Sequence, residues 1–214
     1  MGLNGMTLIR MLRVLALTLV AAAAPAQELG RDYTQLTLPQ PPGSGDKVEV
    51  LEFFSWGCSH CAQMHPVLEE WEKKLPPHAV LVKTPISLGH SEWGQLVRAY
   101  YALEALGELG RLEGPMFDAI HDDRQPLFSE ERITQWVVAK GVSAQKFRNE
   151  FNSFNVSTKA SRAEQLARNY RVNQTPQLIV DGKYVVVGGR THAEVLEITS
   201  KLIEKAAAER KSGT

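Results

Sequence analysis

The segment Val50-Leu51-Glu52-Phe53-Phe54-Ser55-Trp56-Gly57-Cys58-Ser59-His60-Cys61 holds both cysteines of the chain and decides its fold. From Lys47 to Phe54 the residues Val48, Val50, Leu51, Phe53 and Phe54 are apolar on both faces of a period-two alternation. That pattern predicts a buried central strand. Ser55-Trp56-Gly57 breaks it. Helical spacing then takes over from Cys58 to about Leu75, with Met64, Leu68, Trp71 and Leu75 on one face, until Pro76-Pro77 stops it. Pro66 lies inside this helix and should kink it. Met64 reads as core and His65 as surface. Cys58 therefore stands at a helix start, immediately beyond a buried strand.

Working outward, Gln27 to Asp46 is polar and punctuated by proline and glycine, which predicts an extended N-terminal arm. Ala79 to Lys83 reads as a second strand, and Leu178 to Val180 with Tyr184 to Val187 as a hairpin around Asp181-Gly182. A last helix is predicted from about His192 to Ala208. Between the second strand and the hairpin lie about five helical patterns, near Glu92–Leu106, Leu109–His121, Glu130–Lys140, Ala144–Phe154 and Val156–Tyr170. Strand, helix, strand, a block of helices, then hairpin and helix is an α/β architecture interrupted by a helical insertion. The expected division is an arm over 27–46, an α/β unit over 47–88 and 156–214, and a helical insertion over 89–155.

Composition narrows the function classes. The chain has 214 residues, 43% hydrophobic and 22% charged, with 24 Lys and Arg against 24 Asp and Glu. A balanced charge without a basic tract lacks the footprint of a nucleic-acid binder, so no nucleic acid is expected as a partner. Arg10 and Arg13 precede an apolar run from Val14 to Ala24, and Ala24-Pro25-Ala26 has the small-x-small pattern of a signal-peptidase site. Residues 1–26 thus read as a cleaved signal peptide, the run being too short for a membrane span. Export sets the redox context. In an oxidising compartment the two cysteines should pair, and so short a ring closes too little chain to matter for stability. The pair is read as chemistry.

A thiol attacks as its thiolate, and a helix N-terminus offers unpaired N–H groups and the positive end of the helix dipole to hold that anion. Cys58 is the expected nucleophile, and Cys61, one turn further in, is suited to the resolving role. His60, between them, is assigned to tuning the thiolate. The rival use of Cys58 and Cys61, with His60 or His65, is zinc, which ordinarily wants a second ligand pair tens of residues away, and the chain has no other cysteine. No metal is expected. Glu52 breaks an otherwise apolar strand, so it is expected to be buried beside the Cys58 helix, with Lys83 as its charge partner. Such a carboxyl could handle the proton of Cys61. His78, His90, His121 and His192 share no spacing and receive no role. The sequons at Asn155 and Asn173 are read as chance matches.

The quoted segment, with Leu103-Glu104-Ala105-Leu106-Gly107, Asn173-Gln174-Thr175-Pro176 and Asp181-Gly182-Lys183-Tyr184, resembles the DsbA family of periplasmic thiol-disulfide oxidoreductases over about residues 40–205. The resemblance implies a thioredoxin fold with an inserted all-helical domain. From the residues alone Thr175-Pro176 reads equally well as a trans turn; the resemblance implies a cis-proline loop beside the disulfide, with Thr175 tuning the redox pair. The family's best-known motif has proline where this chain has Ser59, a change in the loop that surrounds the sulfur. Trp56, Gly57 and the Thr175-Pro176 loop are expected to border an apolar groove for partners.

The expected function is donation of the Cys58–Cys61 disulfide to unfolded exported proteins with free thiols, through a mixed disulfide at Cys58. This redox-active disulfide would be the sole cofactor. The resemblance further implies periplasmic localisation and re-oxidation by a DsbB-like quinone-linked membrane protein. With no dimerisation segment before the strand, a monomer is expected. The alternatives are an isomerase or reductant of thioredoxin type and, outside enzymology, a peptide-binding holdase using the same groove.

Overall fold

The computed structural model describes residues 27–212; the expected signal peptide at 1–26 lies outside them. Five strands and seven helices follow in order: β1 (Tyr33–Gln35), β2 (Val48–Phe54), α1 (Ser59–Glu72), β3 (Ala79–Pro85), α2 (Ser91–Ala105), α3 (Leu109–His121), α4 (Glu130–Ala139), α5 (Ala144–Phe151), α6 (Phe154–Asn169), β4 (Gln177–Val180), β5 (Tyr184–Val186) and α7 (His192–Ser212). The strands form one mixed sheet in the order β1-β5-β4-β2-β3. β2 lies parallel to β3, with Val48 opposite Ala79 and Phe54 opposite Pro85, and antiparallel to β4.

All seven residues of β2 are buried, which follows from its having a strand on each side and a packed layer on each face. On one face Val48 and Val50 join Met64 and Leu68 of α1 and Leu196, Leu202 and Ile203 of α7. On the other, Leu51 and Phe53 pack with Ile86, Ile179 and the end of α6 at Ala167 and Tyr170. Phe54, the last residue of the strand, leaves both clusters. With Trp56, Cys58 and Cys61 it enters the apolar interior of α2 to α5, so the cysteine loop is seated on the helical block.

Local chemistry sets several helix starts. Ser129, Ser143 and Ser153 cap α4, α5 and α6, each side chain accepting the amide three residues on, as short hydroxyl side chains do for otherwise unpaired first-turn donors. In the β4–β5 hairpin Asp181 and Gly182 both take positive φ, 56° and 63°, a geometry that Asp-Gly adopts readily. A side chain at Gly182 would also run into the Gln40 carbonyl.

Five expectations need correction. The N-terminal segment is not merely an arm: Tyr33–Gln35 pairs antiparallel with β5, and Tyr33 is buried edge-on against Tyr184 at 5.3 Å. α1 ends at Glu72, short of Leu75, while β3 continues to Pro85. α7 reaches Ser212, past Ala208, where Arg210 Nε donates to Asp181 at 3.0 Å and holds the last turn on the hairpin. The expected boundary after Asn155 falls inside α6, whose Val156 packs in the helical block while Ala167 packs under the sheet.

Candidate active site

Cys58 is the N-cap of α1, with extended backbone angles (φ −91°, ψ 117°) and a sulfur that accepts the Cys61 amide at 3.3 Å. In its thiol form Cys58 donates to the Thr175 carbonyl at 3.4 Å, and the Thr175-Pro176 peptide bond is cis. The loop before β4, more than a hundred residues away in sequence, thus meets the helix start. Cys58 is 7% exposed and Cys61 1%.

The two thiols differ sharply in acidity. Hydrogen bonding from the Cys61 thiol, then from Thr175 and from the amides of Cys61 and His60, outweighs burial and holds Cys58 at about 5 against an ordinary 9.0. Burial, reinforced by the neighbouring Cys58, drives Cys61 far above its ordinary value. One sulfur is a stable anion at neutral pH and the other retains its proton.

The remaining expected residues are placed as follows. Ser59 and His60 are exposed, and what His60 brings to the Cys58 sulfur is its backbone amide. Gly57 donates its amide to Ser55 Oγ at 3.2 Å, and the Trp93 indole fills the place a Cβ would take, so a side chain there would have to displace it. Trp56 does not border a surface groove. It is 1% exposed, its ring packed 5.5 Å from that of Tyr100, and its carbonyl accepts His121 Nε2 at 2.8 Å. Glu52 is buried and pushed up to about 8, chiefly by desolvation, with Lys83 opposing and Glu113, Glu72 and Cys58 adding to the rise.

Lys83 stands opposite Glu52 in the β2–β3 register, but its ammonium donates to Glu113 Oε2 of α3 at 2.9 Å. Glu52 feels that cation only through space. His65, expected at the surface, is buried with its ring 5.0 Å from that of Phe117, because α3 covers this side of α1. Sequence reasoning missed Trp93, Glu113 and His121. Glu113 did carry a signal, being an acid on the same buried helix face as Leu112, Met116 and Phe117. Among the described residues no three His, Cys, Asp or Glu side chains converge as metal ligands.

This arrangement can pass a disulfide between Cys58 and another chain. The comparisons with known proteins agree with that chemistry. Residues 49–198 match the family model of the DSBA-like thioredoxin domain. The thiol:disulfide interchange protein DsbA of Bordetella parapertussis is 36% identical over 202 residues, 92% of this chain and 96% of that protein. DsbA of Pseudomonas aeruginosa is 31% identical over 96% of this chain and 98% of its own length. The crystal structure of Pseudomonas aeruginosa DsbA superposes with a TM-score of 0.81 at 32% identity, covering 89% of this chain and 98% of that one. The oxidoreductase DsbA from Xylella fastidiosa gives 0.80 at 27% identity, covering 86% and 100%. The geometry of Cys58 and Cys61 is compatible with that exchange, and the chain is a thiol:disulfide oxidoreductase that belongs to the DSBA-like thioredoxin family.

Proposed function

We propose that the protein donates its Cys58–Cys61 disulfide to unfolded exported proteins in the periplasm, acting as a monomer whose residues 1–26 are its export signal. The observation that carries the direction of transfer is the split in acidity between the two sulfurs. A thiolate stabilised only in the reduced form favours reduction of the pair, which makes the disulfide oxidising.

A substrate thiolate attacks Cys58 Sγ, the Cys58–Cys61 bond breaks, and its electron pair leaves on Cys61, which takes a proton from the Glu52 carboxyl. A second substrate thiolate then attacks the substrate sulfur of the mixed disulfide and expels Cys58 as the stable anion. The substrate gains a disulfide and the protein two electrons. Electron balance thus makes Cys61 the leaving group in donation. Its resolving role belongs to re-oxidation: the Cys58 thiolate attacks the disulfide of a DsbB-like quinone-linked membrane protein, Glu52 releases its own proton to solvent and then takes that of Cys61, and the Cys61 sulfur attacks Cys58 and expels the partner's thiolate. Among the described residues no helix is long and apolar enough to cross a membrane. The α/β unit, taken over 47–88 and 156–214 with α6 shared between it and the insertion over 89–155, supplies both walls of the site. Thr175 and Pro176 lie where an extended substrate chain would pair.

Equilibration with glutathione buffers tests the direction. A reduction potential far above the ~−270 mV of thioredoxin supports the donor reading, and a thioredoxin-like value overturns it in favour of a reductant.

A further inference from the structure

We propose that Glu113 of α3 is a positioning residue for the exchange reaction: its buried ion pair takes the ammonium of Lys83 and leaves Glu52 without a direct cationic partner. The inference rests on the reading of Glu52 as the proton carrier of Cys61. Neighbours in register across a sheet share a face, so Glu52 on β2 is the carboxyl nearest to Lys83 by strand pairing. The ammonium goes instead to Glu113 at 2.9 Å, with the two side chains only 12% and 10% exposed. A carboxylate on an apolar helix face is costly unless it is paired, and Glu113 sits among Leu112, Met116 and Phe117. The pair therefore commits the Lys83 cation to the helical block.

Charge counting gives the consequence. Glu52 is faced by Lys83 from β3, by Glu113 from α3, and by Glu72 and Cys58 from α1, while its β4 neighbour Leu178 is apolar. Tyr100 of α2 faces both carboxyls, and the buried His65 of α1 faces Glu113 and Lys83. With Lys83 neutralised by Glu113, ionising Glu52 would add an unbalanced buried negative charge whether Cys58 is a thiolate or is held in the disulfide, the state in which Cys61 needs a proton as it leaves. Glu52 therefore keeps its proton at neutral pH, ready for Cys61, and a residue of the helical block sets that readiness.

The test follows the Glu52 carboxyl by NMR in the reduced full chain labelled with 13C in glutamate side chains, its signal assigned by its loss in Glu52→Gln. Glu113→Gln should lower the titration midpoint of Glu52 by at least about one pH unit, since the freed ammonium turns to Glu52. Adding Lys83→Gln should bring the midpoint back up, at least to the wild-type value. Loosened packing alone would admit water and lower the midpoint in both variants. An unmoved midpoint in Glu113→Gln, or a double variant that falls with the single, overturns the proposal. Should Glu113→Gln fail to fold, Glu113→Asp, one methylene short of Lys83, replaces it with a smaller fall expected and no fall overturning the idea. The rate of re-oxidation by oxidised glutathione, followed against pH in the same variants, separates the two readings. If the Glu52 midpoint moves while that profile stays fixed, the charge arrangement holds and the proton-carrier role of Glu52 is what fails.

Discussion

At Cys58 the protein concentrates several weak donors on one atom. Alkylation of Cys58 by iodoacetamide should rise with pH around a midpoint of about 5, while Cys61 stays unreactive at neutral pH because burial holds its proton. A Cys58 midpoint near the ordinary 9.0 would remove the basis for an oxidising pair. Gly57 is the second sensitive position, since the Trp93 indole occupies the space of a side chain there. Gly57→Ala should destabilise the protein by ~1–3 kcal/mol through overpacking, read as a lower urea midpoint, and should slow exchange by shifting the loop that carries Cys58. Both cysteines and the buried acid Glu52 were legible in the sequence, because each breaks a pattern of its own. The placement of Trp56, His65 and the Lys83 ammonium was not. Those depend on α3 lying over the start of α1, which no local spacing encodes.

Among the elements, the clearest readings were those with strong periodicity: β2, the helix after Cys58 and the Asp181-Gly182 hairpin. β1 escaped because three residues, Tyr-Thr-Gln, carry no alternation that rises above a polar arm. Its order comes from pairing with β5 and from one ring, Tyr33, lodged edge-on against Tyr184. Tyr33→Ser should therefore cost ~2–4 kcal/mol, as truncation of a buried large side chain does, and should release the segment before Val48 to proteolysis. A stability change below about half a kilocalorie per mole would mean that β1 adds little to the sheet. α6 makes a related point. Val156 belongs to the helical block and Ala167 to the layer under the sheet, so a boundary drawn from the spacing of helical patterns cuts a helix that serves both parts.

Over the whole molecule, Cys58 and Glu52 pull stability in opposite directions as pH changes. In the reduced protein Cys58 is depressed from 9.0 to about 5, so its contribution is fully present above the unfolded value and is lost as pH falls through about 5. Glu52 is raised from 4.5 to about 8, so its contribution is present below the unfolded value and is lost as pH rises through about 8. Between about 5 and 8 the unfolded chain holds one more proton at the thiol and one fewer at the carboxyl, and the two slopes cancel. Breaking the balance exposes each slope, at about 1.4 kcal/mol per pH unit. The oxidised protein has no thiol to titrate, so the reduced form should gain on the oxidised form by that amount per unit as pH rises through the window. The reduced Glu52→Gln variant should gain on the reduced wild type at the same rate. His65, whose burial lowers its proton affinity, and the high-titrating Cys61 and Lys83 drop out of the second comparison, since both proteins carry them. Urea denaturation of reduced wild type, oxidised wild type and reduced Glu52→Gln at pH 5.5, 6.5 and 7.5 (about one unit apart, inside the window) reads both differences. Parallel curves for wild type and Glu52→Gln would mean that Glu52 is ionised throughout, and the carboxyl could not then supply a proton to the leaving Cys61 sulfur.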